Sequence, residues 1–320
     1  MMSFRRLICS ALLAFAVAAP ASAQDYPSRP VRIVVPVPPG GGLDVVARVL
    51  ARRLGEDWKQ PVVVENRPGA GGGIGAAMVA QAAPDGLTLL AAQDQVMVAN
   101  RFLYKSLPYD PDKQFAPVAM LVQADQLVLA AGTVAADDLR ALVASSRRGE
   151  RLSYGSYGSG STPQLAFETL NKHEKLSLLH VPYKGIAPVI QALLAGEVQL
   201  SVGSSAVAAG QIRAGKLKPL AVASTERDAT FPDVKTTAEL GFPYLQMSIW
   251  HSLYAPAGTP PEITRKIAAD VDRILAEPEV RKQIAGFRVL GGTPQALAAR
   301  LREEVARAAE MIANAGIQPE

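Results

Sequence analysis

Residues 31–48 read VRIVVPVPPGGGLDVVAR, and this order predicts a strand, a glycine loop and a helix. The β-branched run 31–35 is typical of a buried strand, and the prolines that follow it cannot donate ladder hydrogen bonds. From Leu43 onward, apolar side chains recur at helical spacing, so a helix follows the glycines. The start of such a helix offers unpaired amide N–H groups and partial positive charge, which favours a bound anion. No Lys follows the glycines, as it does in nucleotide-phosphate loops, so we expect a small carboxylate.

A second stretch repeats this arrangement further along the chain. Loop 155–161 is rich in glycine and serine, and it lies between a predicted strand at 152–154 and a predicted helix. Thr162 is expected to be the N-cap of that helix and Pro163 its first residue. If the two loops face each other across a cleft, two positive helix starts act on one ligand.

The early part of the chain predicts a parallel sheet, because strands and helices alternate there with short links. Ligands of such sheets lie beyond the carboxyl ends of the strands, so we expect residues 37–42 and 92–95 on the same rim. Asp94 and Asp125 also follow predicted strands, where each is either a solvated loop acid or a carboxylate in the cleft. An acid in the cleft would indicate a ligand with an ammonium or hydroxyl group.

The N-terminus has the composition of a cleavable signal peptide. Two arginines precede an apolar run at 7–19, and residues 21–23 read Ala-Ser-Ala, an A-x-A cleavage site. We therefore expect a mature protein that begins at Gln24 and is located in the periplasm. The one cysteine, Cys9, lies inside this segment, which excludes a disulfide or a thiolate metal site from the mature chain. The formal charge is +4, or +2 without those two arginines, and no basic stripe with interleaved aromatics favours nucleic acid.

Motifs for enzymes and cofactors are weak. The serine-rich loop 153–161 leaves an exported serine hydrolase as an alternative, but no serine fits G-x-S-x-G. The histidines that could act as bases are widely spaced and lack a carboxylate cluster, so they predict neither a triad nor a metal site; they are His173, His180 and His251. Residues 71–76 form a loosened dinucleotide fingerprint behind a loop that is too long, so no cofactor is expected.

Length and patterning set the expected architecture. With 320 residues and 49% hydrophobic composition, the chain is long enough for two domains. We expect separate strands at 115–122 and 126–131, because polar residues interrupt the apolar run between them. Thr259 and Glu262 have the spacing of a capping box, and Thr293 is expected to open the last helix.

Several distinctive strings are spread in order over the whole mature chain. They are YPSRP (26–30), VPVPPGGGLD (35–44), PVVVENRPGAGG (61–72), APDG (83–86), LPYDP (107–111), VPYKG (181–185), APAGTPP (255–261) and AGI (315–317). With these strings the chain resembles the Bug/TctC-like receptors, the extracytoplasmic solute-binding components of tripartite tricarboxylate transporters.

The resemblance implies an α/β fold of the two-domain Venus-flytrap type, a type II periplasmic binding protein in which each domain is a mainly parallel sheet flanked by helices. We place a signal peptide at 1–23, the first domain at 24–124 plus 248–320, and the second domain at 125–247. Family ligands are small carboxylates: dicarboxylates, tricarboxylates, aromatic acids and amino acids. The implied partners are a large and a small transmembrane permease subunit, served by a monomeric receptor. A sensor that presents the ligand to a signalling partner is the alternative.

Combining the loops with the resemblance gives a set of expected ligand-binding residues. Those in the first domain are Val37, Pro39, Gly40, Gly41, Gly42, Leu43, Ala92, Gln93 and Asp94. Those in the second domain are Ser156, Ser159, Gly160, Ser161, Thr162, Gln164, Tyr183, Lys184, Ser204 and Ser205. The chain departs from the family pattern at three places. The position of Gln164 is often His in the family, and an Asp is common where this chain has Gly203-Ser204-Ser205. Asp94 stands where the family usually has a Ser- or Thr-like neighbourhood. These departures concern the part of the site that recognises the rest of the ligand.

Overall fold

Strands and helices alternate through residues 26–158, 160–224 and 226–319, the parts of the chain that the computed structural model describes. The strands are β1 Val31–Val35, β2 Val62–Asn66, β3 Thr88–Gln93, β4 Phe115–Ala131, β5 Ser153–Ser156, β6 Leu179–Pro182, β7 Leu200–Ser204, β8 Leu217–Val222, β9 Ser248–Pro256 and β10 Arg288–Val289. The helices are α1 Gly42–Trp58, α2 Gly73–Ala80, α3 Asn100–Leu103, α4 Leu139–Arg147, α5 Thr162–Glu174, α6 Ile186–Ala195, α7 Ser205–Arg213, α8 Pro261–Ala276, α9 Pro278–Gln283 and α10 Pro294–Ala315. A short 3₁₀ turn, Ala70–Gly72, precedes α2, and a π-type turn, Gln95–Ala99, runs into α3.

The strands pair in the order β2-β1-β3-β9-β4-β7-β5-β6, and β8 and β10 also pair with β4. The strands joined by helical crossovers are parallel, namely β2-β1-β3 at one side and β6-β5-β7 at the other. In contrast, β4 and β9 run antiparallel to their neighbours. The sheet is therefore mixed, where a mainly parallel sheet was expected. Antiparallel neighbours arise because β4 and β9 carry the chain between the two sides rather than closing a βαβ unit.

β4 is one continuous strand of 17 residues and not the two strands predicted from the sequence. Its residues 115–125 pair with β9, and from Gln126 onward it pairs with β7 and β8. The polar residues at the change of partner stay in the ladder because their side chains are satisfied there. Gln123 Nε2 donates to Asp125 Oδ1 over 2.9 Å, and Ser224 Oγ donates to the same oxygen over 3.2 Å. The polar interruption therefore marks where the strand changes neighbours and not a loop.

Each side of the sheet is covered by helices on both faces, which gives a three-layer arrangement. On the first side, one buried cluster joins β1 to α1 and α8, and another joins Val34 and Trp250 to α2 and α10. On the second side, Tyr154 and Phe167 belong to a cluster with α4 and α5, and Val189 belongs to one with α6 and α7. The α/β class expected from the sequence is confirmed.

Several helix boundaries differ from the sequence-based expectation. Thr259 does not cap α8, because its hydroxyl donates to the carbonyl of Pro256 and the helix begins two residues later. The expected capping box is therefore wrong. Likewise, Ser161 occupies the N-cap of α5 and Thr162 is the first helical residue. Thr293 caps α10 as expected, with its hydroxyl accepting the amide of Ala296 over 3.2 Å.

Two expectations concern targeting and metals. None of the helices in the described ranges is long and apolar enough to cross a membrane. The predicted signal peptide, residues 1–23, lies outside those ranges. No group of three or more His, Cys, Asp or Glu side chains within them has the geometry to hold a metal ion.

Candidate functional site

The first glycine loop ends at the start of α1, where Gly42 is exposed and no side chain caps the helix. Asp44 holds this loop. Its carboxylate accepts hydrogen bonds from the amide of Gly40 (2.9 Å), from Asn66 Nδ2 (2.8 Å) and from Arg48 Nε (3.0 Å). Burial opposes ionisation of Asp44, but these hydrogen bonds outweigh it and hold the pKa of the carboxyl below its ordinary value. Asp44 therefore caps the loop, as its position in the first helical turn indicated.

This contact decides which amides of the loop a ligand can use. The N–H of Gly40, expected to be a ligand donor, is already bonded to Asp44. The first amides of a helix have no partner within the helix, and here they belong to Gly42 and Leu43. Leu43 can contribute only its main chain, because its side chain is fully buried.

The other predicted residues of this loop lie around the same helix start. Pro39 and Gly41 are exposed, and Val37 is half-buried. The carbonyl of Val37 accepts a hydrogen bond from Asn66 Nδ2 over 3.1 Å, which ties the loop to the end of β2. Asp44 and Asn66 therefore hold the loop in place, while Pro39, Gly41 and Gly42 remain exposed to solvent.

The end of β3 lies beside this loop, because β3 pairs with β1 in parallel. Ala92 is fully buried, and Gln93 and Asp94 are half-buried. Burial, reinforced by the negative charge of Glu304, raises the pKa of Asp94 to about 7, against a weaker opposing effect of Arg300. Asp94 can therefore exchange a proton near neutral pH.

The second glycine loop is held in the same way as the first. The amide of Gly160 donates to Gln164 Oε1 over 2.7 Å, and Ser161 Oγ donates to the carbonyl of Gly158 over 2.6 Å. Neither side chain caps α5, but the hydroxyl of Tyr157 is hydrogen-bonded to the main chain and the side chain of Thr162, so the helix start is partly occupied. Ser159, the other residue expected here, lies outside the described residues.

Two contacts connect this second loop to the first side of the sheet. Gly160 lies against α3, since a Cβ on Gly160 would be 2.2 Å from Leu103 Cδ1. Tyr157 faces Asp94, whose charge adds to burial in raising the pKa of the tyrosine to about 12. The second loop and the end of β3 are therefore neighbours.

Ser156 and His180 form a pair that sequence spacing did not indicate. Ser156 Oγ lies 2.6 Å from His180 Nε2, and the imidazole stacks on Tyr154. Ser156 is fully buried, and its hydroxyl is already engaged by His180 and lies 3.4 Å from the carbonyl of Gly158, so it is not available to a substrate. Burial also lowers the pKa of His180. The pair fastens β5 to β6 and does not form a nucleophile of an exported hydrolase.

The start of α7 forms a third part of the site. Ser204 precedes the helix without capping it, and the hydroxyl of the buried Ser205 has no hydrogen-bond partner within the described structure. Next to it, Gly286 touches Ala206, with 3.1 Å between a Cβ built on Gly286 and the Cβ of Ala206. The neighbouring Phe287 covers the start of α1, since its Cζ is 2.7 Å from a Cβ built on Gly42. Residues 286–287 therefore connect the open starts of α7 and α1.

Tyr183 and Lys184 lie on the loop between β6 and α6. Tyr183 is half-buried, its amide donates to the carbonyl of Ser156 over 2.8 Å, and its hydroxyl lies 3.5 Å from Glu197 Oε2. Lys184 is exposed. Their loop therefore adjoins β5, and the contacts described for it are with residues of the second side of the sheet and not with the start of α1.

Two residues at the centre of this arrangement were not expected as ligand contacts. His251 lies on β9 opposite Gln93 and is 2% exposed, and its ring centroid is 5.6 Å from that of Phe287. The sequence offered His251 only as a possible base, and Phe287 lies outside any recognised motif. Both lie next to the first glycine loop only because β9 returns to the first side of the sheet, which no local spacing encodes. The adjacent Trp250 is fully buried under the guanidinium of Arg300, 5.9 Å from the ring centroid.

Known proteins share this architecture. The sequence pattern of the family described as "Tripartite tricarboxylate transporter family receptor" matches residues 46–317. The structure of R. palustris Rpa4515 with adipate is similar with a TM-score of 0.85 and 32% identity, covering 92% of this chain and 100% of that one. The periplasmic binding protein BugD has a TM-score of 0.80 at 34% identity, covering 92% of this chain and 100% of its own. MatC from Rhodopseudomonas palustris with bound malate has a TM-score of 0.79 at 35% identity, covering 90% and 100%.

These matches confirm the expected fold of a two-domain periplasmic binding protein. They also place the chain among receptors and not among enzymes. Because the family pattern spans most of the sequence, the protein belongs to the family of tripartite tricarboxylate transporter receptors.

Proposed function

We propose that this protein binds a small carboxylate between its two domains and delivers it to a tripartite tricarboxylate-type transporter. The observation that carries the proposal is the meeting of open helix starts. α1 and α7 both begin without a side-chain cap, and residues 286–287 connect them. Two sets of unpaired amides and two positive helix ends at one place favour an anion.

The ligand class is supported by the chemistry of the site together with the relatives. Adipate is bound to Rpa4515 and malate to MatC, and both ligands are small dicarboxylates. The proposed donors of this chain are the amides at Gly42 and Leu43 and the hydroxyl of Ser205, which has no partner in the described structure. Gln93, Asp94 and Ser204 would line the walls, whereas the hydroxyls of Ser156 and Ser161 are already bonded within the second glycine loop and its neighbouring strand. We assign no cofactor or metal to the site.

The two domains proposed from the sequence are residues 24–124 plus 248–320 and residues 125–247. The boundary is supported by β4, which pairs with β9 up to Asp125 and with β7 from Gln126 onward. At the second boundary, Ser248 is the first residue of β9. The chain thus passes between the proposed domains once within β4 and once at the start of β9. A change in the angle between the domains would require only small dihedral changes at these two crossings.

Cellular context completes the proposal. A signal peptide at 1–23 would be removed before Gln24, and the monomeric receptor would meet a large and a small permease subunit in the membrane. A sensor that passes the ligand to a signalling protein would need the same site. N-terminal sequencing of the exported protein tests cleavage, and transport assays with and without the neighbouring membrane genes separate transport from signalling.

The binding proposal is tested by measuring thermal unfolding with a panel of adipate, malate, glutamate and benzoate, followed by calorimetry. A ligand present at a hundred times its Kd stabilises the folded state by about 2.7 kcal/mol. If no member of the panel raises the midpoint of the wild-type protein, a receptor for these acids is contradicted.

Gly41 allows a sharper version of this test. Its φ of −74° suits any residue, and a Cβ there would contact Pro38 and Val37 only at ordinary distances of 3.7 and 3.9 Å. In Gly41→Asp, a carboxylate would occupy the N-cap of α1 and compete for the amides that should hold the ligand. We expect Gly41→Asp to fold and to lose binding, while Gly41→Ala keeps it. Equal affinities of both variants would contradict an anion site at this helix.

A further inference from the structure

His251 is a buried side chain without a partner at the centre of the proposed site. It is 2% exposed, and its Nδ1 has no hydrogen-bond partner within the described structure. Buried polar atoms are nearly always paired, so an orphan of this kind requires an explanation. Its position supplies one, because β9 places it opposite Gln93, at the end of β3 where ligands of such sheets bind.

The nitrogen-bearing edge of the ring faces the start of α1. The atom of His251 nearest to Gly42 is Cε1, the carbon between the two ring nitrogens, at 3.8 Å from a Cβ built on that glycine. Phe287 packs at an angle of 49° on the imidazole and closes the other side. The imidazole therefore lies next to the first turn of α1, where no side chain caps the backbone amides.

The surroundings keep this imidazole neutral. Burial alone lowers the pKa of His251 to about 3, and no acidic or basic group contributes to the shift. A neutral imidazole offers one N–H donor and one acceptor nitrogen. It can therefore donate to a carboxylate oxygen without adding a charge that would have to be removed from water.

We propose that His251 is a ligand-binding residue, which donates a hydrogen bond from its neutral imidazole to the acid held at the start of α1. This inference rests on the proposed function, and it adds a side-chain donor to a site otherwise built from main-chain amides. Since the donor is uncharged, its contribution does not require proton uptake when the ligand binds.

The test uses the carboxylate from the adipate, malate, glutamate and benzoate panel that the wild-type protein binds. His251→Phe replaces the imidazole by a somewhat larger apolar ring and so removes both nitrogens, and we expect it to weaken affinity at least tenfold. Its thermal midpoint should be unchanged or higher, because an unpaired polar group leaves the interior. His251→Asn, which retains a donor near the position of Nδ1, should recover part of the affinity. His173→Phe is the matched control, since His173 is exposed and stacks on Tyr244 away from this site.

A second measurement reads the hydrogen bond directly. The chain has three histidines, so a long-range ¹H–¹⁵N spectrum shows three imidazoles, and ligand addition should shift the nitrogen signals of His251 most. If the wild-type protein binds an acid, His251→Phe binds it equally well and the nitrogen signals of His251 do not shift, the inference about His251 is overturned while the proposed function stands. A destabilised His251→Phe with unchanged affinity also overturns it, because it marks a purely structural histidine. Failure of the wild-type protein to bind any acid of the panel contradicts the proposed function itself.

Discussion

At the scale of single residues, both glycine loops are fixed by the same contact. The amide of Gly40 donates to Asp44, and the amide of Gly160 donates to Gln164, in each case four residues further along. A side chain from the first helical turn thus reaches back and closes the loop that precedes it. The loop gains a defined shape without either side chain capping the helix that follows it.

Asp44→Ala tests this role. The substitution removes the acceptor of three hydrogen bonds to Gly40, Asn66 and Arg48, so we expect a loss of about 1–3 kcal/mol in the free energy of unfolding. Ligand affinity should fall as well, because the loop before α1 loses its anchor. Urea denaturation and calorimetry measure the two effects. The control is Asp138→Ala, which removes the N-cap of α4 and should lower stability by about 1 kcal/mol without changing affinity.

Asp94 should make stability depend on pH. Its pKa is raised from an ordinary value of 3.8 to about 7, so between these values the folded protein holds a proton that the unfolded chain has lost. The free energy of unfolding therefore falls as the pH rises through this window, by at most about 1.4 kcal/mol per pH unit. Asp94→Asn removes this dependence and should be the more stable protein at pH 8. The measurement is the free energy of unfolding of both proteins by denaturation between pH 5 and pH 8. If it changes with pH by the same amount in both, the shifted pKa of Asp94 is contradicted.

At the scale of elements, the parts predicted well were those encoded by local pattern. β1 is read directly from its β-branched run, and α10 begins at the Thr293 N-cap that the sequence indicated, with Leu297 packed into the core. β4 was misread because local polarity does not reveal a partner across the sheet. His251 and Phe287 were missed for the same reason, since their place beside α1 depends on how β9 and the segment before β10 return.

Asp125 offers a test at this scale. The sequence left it as either a cleft carboxylate or a loop acid, and the structure places it in β4, accepting from Gln123, Ser224 and, over 3.4 Å, Arg288. We expect Asp125→Ala to lower the free energy of unfolding by about 1–3 kcal/mol, since three donors lose their acceptor. Ligand affinity should change little, as measured by calorimetry. A large loss of affinity with full stability would instead place Asp125 in the binding site.

At the scale of the whole molecule, the two sides of the sheet touch through small residues. Gly160 meets Leu103, and Gly286 meets Ala206. In both pairs a missing side chain allows close approach, so we expect these contacts to limit how far the cleft can close. The sequence predicted two facing loops, but it could not predict which glycines touch the opposite side.

Gly160→Ala should hold the cleft open. Its φ of 68° is strained for alanine, and the added Cβ would lie 2.2 Å from Leu103 Cδ1. We expect at least tenfold weaker ligand binding and no compaction on ligand addition in small-angle scattering. Gly196→Ala is the matched control, because Gly196 has a similar φ of 74° and nothing lies within 4 Å of the added Cβ. If both variants bind like wild type, the Gly160–Leu103 contact does not limit closure.

The burial of Trp250 has a practical consequence. The chain contains two tryptophans, and this one lies on β9 two residues after the second proposed crossing, with the Arg300 cation over its ring. Indole emission responds to a nearby charge, so bending at this crossing should change the fluorescence of the unlabelled protein. Replacing Trp58 by Phe would leave a single emitter. The fluorescence of Trp250 would then report domain closure directly, and ligands could be ranked without attaching a dye.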